Sequence, residues 1–364
     1  MRIRGAELYL VTRRVMIAAG VDAEQADAVT DNLVWCDKVE RRNHGVERLP
    51  ILLKRVAAGG IKCPPAPVFT ELAPSAHHLD GDNGFGHYAG RLAVDRACDI
   101  AARQGVGVVG VTGSNFFGAG AYYAELAARR GMISLVLSNS FPKVAAPGGL
   151  DAVLGTNPFT FGAPRRDGRS ILVDMSTAAV AGSTVREKAA KGEMFEPGVA
   201  IDAAGDPILD PNKVMAGTLL PAAGGKGFGL AILVEILSAV LTGAGISREL
   251  GSMYKHVDTG GKNGHFILAL DAARWMPMDD FYARMDMLSG VIAASGGDRD
   301  VRMPGDARWA AFAESVPESS RLWMVESDGL TRHSDAAFAK GDYLVFGRET
   351  LGLPESLCRE AGDR

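Results

Sequence analysis

Apolar positions recur at helical spacing through the first sixty residues. Leu8 to Ala18 forms one such stretch after Gly5, and Gly20 stops it. Asp22, three positions before Gln25, supplies a cap for a second helix running towards Val39, and a third helix is predicted to begin near Arg48. Between the last two lies Glu40-Arg-Arg-Asn-His-Gly-Val-Glu-Arg-Leu-Pro50, a polar junction in which Gly45 permits a sharp turn and which is suited to lining a cleft. From Val68 onward the pattern changes to short β-branched or apolar runs separated by glycine and alternating with helical stretches, which predicts a mixed α/β domain. The candidate strands are 107–111, 133–138 and 170–174; the candidate helices are 89–103, 119–130 and 227–242. A further strand, Tyr343-Leu-Val-Phe346, follows a polar stretch over 314–320 that reads as a linker or boundary.

Composition adds mainly exclusions. With 364 residues, 47% apolar and 23% charged, the chain is globular and intrinsic disorder of the whole is excluded. The 39 basic and 43 acidic residues leave a net charge of −4, so no general phosphate-binding surface and no nucleic-acid partner are expected. Cys36, Cys63, Cys98 and Cys358 lie far apart without a C-x-x-C pair, which suits reduced thiols in the cytoplasm. No membrane partner is expected either. The N-terminus alternates basic and apolar residues instead of forming a signal-peptide core, and the 230–244 run contains Glu235, Ser238 and Thr242. That run is also too short for a hydrocarbon layer of about 30 Å.

Two glycine strings need their context. Gly105-Val-Gly-Val-Val-Gly110 satisfies G-x-G-x-x-G, but a helix precedes it and a strand contains it, the reverse of a dinucleotide fingerprint. It is expected to be a helix cap leading into a strand. Gly224-Gly-Lys-Gly-Phe-Gly229 lacks the Ser or Thr of a P-loop; it opens a helix, and its amides with Lys226 either hold an anion or form a plain turn. Among the seven histidines, His77 and His78 are expected to be solvated, and His256 and His265 show no metal spacing, so no metal is expected. His44 differs, with Arg41, Arg42, Glu47 and Arg48 around it. A neighbouring guanidinium there can bind a carboxylate while the imidazole moves a proton, or the histidine can be an ordinary surface residue.

Several of these segments together resemble the malate/L-lactate dehydrogenase family, the group that also holds ureidoglycolate, sulfolactate and diketogulonate oxidoreductases and cyclic-imine reductases. The matching stretches, in order, are Asn43-His-Gly-Val-Glu-Arg-Leu-Pro50, Asp80-Gly-Asp-Asn-Gly-Phe-Gly86, Gly113-Ser-Asn-Phe-Phe-Gly118, Gly131-Met-Ile133 with Ser138-Asn-Ser140, and Leu154-Gly-Thr-Asn-Pro158. They continue through Val173-Asp-Met-Ser176, the glycine turn from Leu220 to Gly229, and Arg302-Met-Pro-Gly305, and run to about residue 309.

The resemblance implies an α/β, non-Rossmann fold in which a helical part, 1–70, packs on a mixed-sheet nicotinamide-binding and substrate region, 71–309. It implies an NAD(P)-dependent oxidoreductase that interconverts a small 2-oxo acid and 2-hydroxy acid, acting on a small carboxylate substrate as a homodimer. By carry-over, His44 would be the acid/base, Arg48 the carboxylate partner, and Asp174 a further catalytic residue orienting His44. Asn43, Ser140 and Thr156 would line the substrate cleft; Ser140, Asp174, Met175, Ser176, Lys226, Pro304, Gly305 and Asp306 would contact NAD or NADP. Two departures stand out. Asn43 occupies the place of a serine in many relatives, which leaves a Ser-His-Asp relay incomplete and disfavours an imine substrate. Phe116 occupies the place of a second histidine, which removes a candidate base and makes the pocket more apolar.

Beyond residue 309 the chain instead resembles the middle of a SpoU-class tRNA 2′-O-methyltransferase, through Arg321-Leu-Trp-Met-Val325, His333-Ser-Asp-Ala-Ala337 and Phe346-Gly-Arg-Glu-Thr-Leu-Gly-Leu-Pro354. The resemblance implies a partial α/β-knot-like segment over 310–364, joined by fusion or frameshift. A segment this short is marginal even as an intact fold. The alternatives to the dehydrogenase reading are therefore methyl transfer by this segment, or an inactive chimera that only binds cofactor.

Overall fold

The computed structural model describes residues 5–314, 322–325 and 343–346. Helices Gly5–Ala18 (α1) and Ala23–Lys38 (α2) are separated by Gly20, whose φ of 85° ends the first of them. Asp22 caps α2 as expected: its carboxylate accepts from the Gln25 amide at 3.1 Å and from Gln25 Nε2 at 2.7 Å. Ala26, Val29 and Leu33 of α2 pack with Met16 and with Leu52 of Leu49–Ala57 (α3), forming a core at the N-terminal end.

The hairpin Val68–Ala73 (β1) and Ala76–Asp80 (β2) leads through Gly86–Gln104 (α4) to Val106–Ser114 (β3), then Gly120–Arg129 (α5) and Met132–Ser138 (β4). Short strands Val144–Ala145 (β5) and Ala152–Leu154 (β6) precede Phe159–Ala163 (β7) and Ile171–Met175 (β8). Gly182–Lys191 (α6), Ala200–Ile201 (β9), Pro211–Val214 (α7) and Thr218–Leu219 (β10) follow, then Gly225–Glu235 (α8), which continues as a π-helical turn over Ile236–Val240. Asn263–Asp271 (β11), Met278–Ala294 (α9) and Asp306–Glu314 (α10) follow.

The principal sheet has the order β1-β2-β3-β11-β4-β7-β8, and only β2 and β3 pair in parallel. A doubly wound nucleotide fold would need parallel strands through its centre, where β11 here lies antiparallel to both neighbours. Ala93, Val94 and Ala97 of α4 cover one face over Val109 and Val111; Val234 of α8 packs with Leu137 and Phe266 on the other. A smaller sheet, β6-β5-β10-β9, has its own core around Val144, Val185 and Leu219. Gly105 caps α4 at a φ of 84° and the rest of its glycine string lies in β3, so that string is a cap and a strand, as expected.

The expectation that His77 and His78 are solvated is corrected. His77 is buried in β2, and His78 reaches the Thr242 carbonyl at 3.2 Å, because the hairpin that carries them lies on the sheet instead of in solvent. His265, in the central strand, is fully buried between Ser114 Oγ at 2.7 Å and Ser138 Oγ at 2.9 Å. At the C-terminus, Leu322–Val325 (β12) and Tyr343–Phe346 (β13) pair in parallel. The knot-like segment is not supported: its remaining stretches, including 333–337 and 347–354, lie outside the described residues.

Candidate active site

The polar junction after α2 folds into two 3-10 turns, Arg42–His44 and Val46–Arg48. Gly45 between them has a φ of −86°, which any residue can adopt, so its glycine is not there for a left-handed turn. The reason is proximity. The Asp37 carboxylate lies where a Cβ would stand and accepts from the Val46 amide at 2.9 Å, which draws the junction onto the end of α2. Arg48 closes the turn by donating Nε–H to the Asn43 carbonyl at 2.5 Å. His44, Arg48 and Asn43 are thereby held on one short loop.

The His44 ring stacks on Phe116, with centroids 6.0 Å apart and an interplanar angle of 26°. Its Nδ1 is buried and has no hydrogen-bond partner among the described residues. Burial pushes its pKa down to about 4; Asp174 opposes that shift, while Arg41, Arg48 and Arg186 reinforce it. Phe116 thus does enter the pocket where the second histidine was missing, and it brings an apolar wall to the acid/base candidate.

Asp174, on β8, makes no hydrogen bond to His44 among the described residues; it is engaged elsewhere. Its carboxylate takes Arg41 Nη1 at 2.9 Å and Thr160 Oγ1 at 3.1 Å, and Arg41 Nη2 also reaches the Asp174 carbonyl at 2.9 Å. Arg41 offers a two-pronged cation where imidazole offers one N–H, so the guanidinium captures the acid and Asp174 acts on His44 through space. Replacing Asp174 with Asn keeps the shape and removes the charge. We expect it to cost about 2 kcal/mol of stability, since the partly exposed Arg41 loses its buried counter-ion, and to lower the His44 pKa further. Urea denaturation and the pH dependence of turnover measure the two effects.

A second group forms around the 154–158 loop. Ser140 Oγ lies 3.4 Å from Thr156 Oγ1, and the Thr156 carbonyl accepts from Ser176 Oγ at 3.3 Å. Asn157 ties the group together by accepting from the Ser140 amide at 3.1 Å and donating to the Ala231 carbonyl at 3.2 Å and to buried Glu235 at 2.8 Å. The end of β4, the start of the chain after β8 and helix α8 are therefore pinned to one another. Lys226 is exposed in the first turn of α8, and Met175 is exposed at the end of β8. Pro304 lies beside β8, its carbonyl accepting from the Leu172 amide at 3.0 Å, and Asp306, first residue of α10, holds Arg165 at 2.7 Å and accepts from the Met303 amide at 3.0 Å.

These groups fit a dinucleotide. Ser140, Thr156 and Ser176 offer hydroxyls, Lys226 offers a cation at a helix N-terminus, and Gly224, Gly225 and Gly229 have open space where side chains would stand. Sequence reasoning missed Arg41 as the partner of Asp174, although it is part of the polar junction. It also missed Arg308, on α10 just past the Pro304–Asp306 stretch, whose Nη1 is buried without a partner among the described residues. Burial, then the Arg41 charge, push its pKa down to about 10.

The family model for malate/L-lactate dehydrogenase matches residues 3–320. The malate dehydrogenase of Pyrococcus abyssi is 36% identical over 307 residues, covering 81% of this chain and 83% of that protein. The NADP(+)-dependent (2R)-3-sulfolactate dehydrogenase of Chromohalobacter salexigens is 31% identical over 312 residues, covering 86% and 91%. The solved structure of sulfolactate dehydrogenase from Methanocaldococcus jannaschii superposes with a TM-score of 0.80 at 29% identity, covering 86% of this chain and 91% of that one. The likeness therefore reaches past the expected boundary at residue 309, and methyl transfer by the C-terminal segment is not carried forward.

Proposed function

This chain belongs to the malate/L-lactate dehydrogenase family and is an NAD(P)-dependent 2-hydroxy acid dehydrogenase, and we propose that His44 moves the proton and Arg48 holds the carboxylate of a small 2-oxo or 2-hydroxy acid. The observation that carries this reading is the His44 environment: a buried ring nitrogen without a partner among the described residues, on one loop with Arg48, in a cationic setting that Asp174 moderates. Ser140, Thr156, Ser176, Lys226 and the Pro304–Asp306 stretch would hold NAD or NADP, which when bound supplies or accepts the hydride. The protein's own tasks are fewer. Arg48 fixes the substrate by a charge-assisted hydrogen bond, His44 takes the hydroxyl proton in oxidation or returns it in reduction, and Phe116 excludes water from one side of the imidazole.

Incubation with NADH or NADPH and a panel of 2-oxo acids tests the reading by loss of absorbance at the nicotinamide band. Folded protein that consumes neither cofactor with any acid in the panel would refute it. The reading includes a homodimer, supported by the exposed apolar stripe Ile232, Ile236 and Val240, with Leu233 and Leu241 beside it, on α8 and its π-helical extension. Light scattering should give twice the chain mass; a monomer at assay concentration would remove this part.

A further inference from the structure

Arg48 has a neighbour that no sequence motif announces. Tyr254, in the loop before β11, lies with its hydroxyl 2.6 Å from Arg48 Nη1 and accepts a hydrogen bond from it. The remaining contacts of this guanidinium leave much of it available. Nε is spent on the Asn43 carbonyl, and Nη2 stands 3.5 Å from the Glu47 carboxylate, which is itself shared with Arg186 at 3.6 Å. Of the five N–H groups of an arginine, those on the outer edge of the fork are thus still able to meet a ligand. The Tyr254 hydroxyl is in the complementary state: it accepts from Arg48, and among the described residues its own proton has no acceptor. A partly exposed cation with N–H groups to spare and a phenol O–H therefore stand side by side.

The placement of Tyr254 is built, not incidental. Arg55 of α3 is buried and spends its guanidinium on the loop that follows Tyr254. Nη1 donates to the His256 carbonyl at 2.9 Å, and Nη2 donates to the carbonyls of Thr259 at 2.9 Å and Gly60 at 3.2 Å. Nη2 also meets Asn115 Oδ1 at 2.8 Å, and that same oxygen accepts from the Gly261 amide at 2.8 Å. Asn115 is the residue before Phe116, whose ring covers His44. One buried guanidinium thus fixes both the loop that delivers Tyr254 to Arg48 and the segment that delivers Phe116 to His44.

We propose that Tyr254 is a second ligand of the substrate carboxylate, donating its O–H to one carboxylate oxygen while Arg48 donates to the other. The proposal rests on Arg48 being the carboxylate partner and adds a specificity-determining residue to that site. A neutral donor beside the cation favours a planar carboxylate over a group that presents only one acceptor, because both arms are filled together.

Steady-state kinetics of Tyr254→Phe, with the best 2-oxo acid of the panel, test it; the ring is kept, so the fold is not at issue. KM for the oxo acid should rise about fivefold, with kcat within about twofold and the nicotinamide KM unchanged. With the methyl ester of the same acid the parent and variant should become equal. Arg48→Lys, measured beside it, should raise the oxo-acid KM by a larger factor. An unchanged KM in Tyr254→Phe with a raised KM in Arg48→Lys overturns the Tyr254 assignment and leaves Arg48 in place. An unchanged KM in Arg48→Lys overturns both. A rise in Tyr254→Phe that is the same for acid and ester, or that extends to the nicotinamide, means a structural role and also overturns the assignment.

Discussion

Replacing His44 with alanine should lower kcat by about two to four powers of ten while nicotinamide binding stays within about threefold. The asymmetry follows from where the ring sits. His44 stacks on Phe116 and shares its loop with Arg48, whereas the hydroxyls of Ser140, Thr156 and Ser176 are organised around Asn157 and α8. Removing the imidazole leaves that second group intact. The pH profiles should change as well. A histidine pushed down to about 4 is neutral at pH 7, ready to accept the hydroxyl proton, so kcat/KM for oxidation should rise tenfold per pH unit up to about pH 4 and then level off. Reduction needs the protonated ring, and its kcat/KM should fall tenfold per unit above that pH. Both limbs should vanish in His44→Ala. A variant that retained them, with a rate loss under about fivefold, would remove His44 from the chemistry.

How much of this was legible in the sequence depends on the distance over which each feature is determined. The α2 cap was legible because Asp22 and Gln25 are three residues apart, and β3, β4 and β8 were legible because alternating apolar runs need only local context. The strand β3 was found several residues short, since Thr112 pairs with β2 and Ser114 with β11 only after the sheet assembles. His77 and His78 read as solvated because nothing nearby in the sequence shows that β2 packs on β3. Gly45 was found for the wrong reason: the chain bends there in an ordinary conformation, and the constraint comes from the Asp37 side chain.

The candidate site divides in the same way. His44, Asn43 and Arg48 fall within six consecutive residues, and their proximity was plain. The Arg41–Asp174 pair joins a helix-end loop to a strand across 133 residues, so the competition between guanidinium and imidazole for that carboxylate could be decided only by the fold. Tyr254 is farther still, 206 residues from Arg48, in a loop whose path is set by Arg55. Such contacts have no periodicity to betray them.

The protein should lose stability steeply as pH falls below about 6.5, and buried histidines other than His44 should be chiefly responsible. His87 and His265 are fully buried, and burial holds the pKa of each down at about 3, against about 6.5 in an unfolded chain. Their ring environments differ. His265 bridges Ser114 and Ser138, whereas neither nitrogen of His87 has a partner among the described residues, and its ring meets Phe116 edge-on. Both nevertheless remain neutral in the fold. Between pH 6.5 and 3 the unfolded chain therefore binds about two more protons than the folded one. Stability rises with pH wherever the unfolded state binds more protons, so this contribution is complete above pH 6.5 and is lost on acidification, at about 1.4 kcal/mol per unit for each ring. His44, half-buried, adds a smaller loss in the same direction. Asp31 and Asp37 work the other way, because burial raises their pKa values and lets the fold take up protons first, but only in the range where carboxylates titrate. From pH 6.5 to 4.5 the two buried rings remove about 5 kcal/mol, comparable with the whole stability of many domains. Urea midpoints at pH 7.5, 6.5, 5.5 and 4.5 should fall accordingly, and a flat series would contradict the assignment. His87→Leu separates the histidine contribution from general acid denaturation. It removes two unpartnered nitrogens at little cost at pH 7.5 and should reduce the slope below pH 6.5 by about one proton, whereas a slope equal to the parent's would mean that His87 is already charged or solvated in the fold.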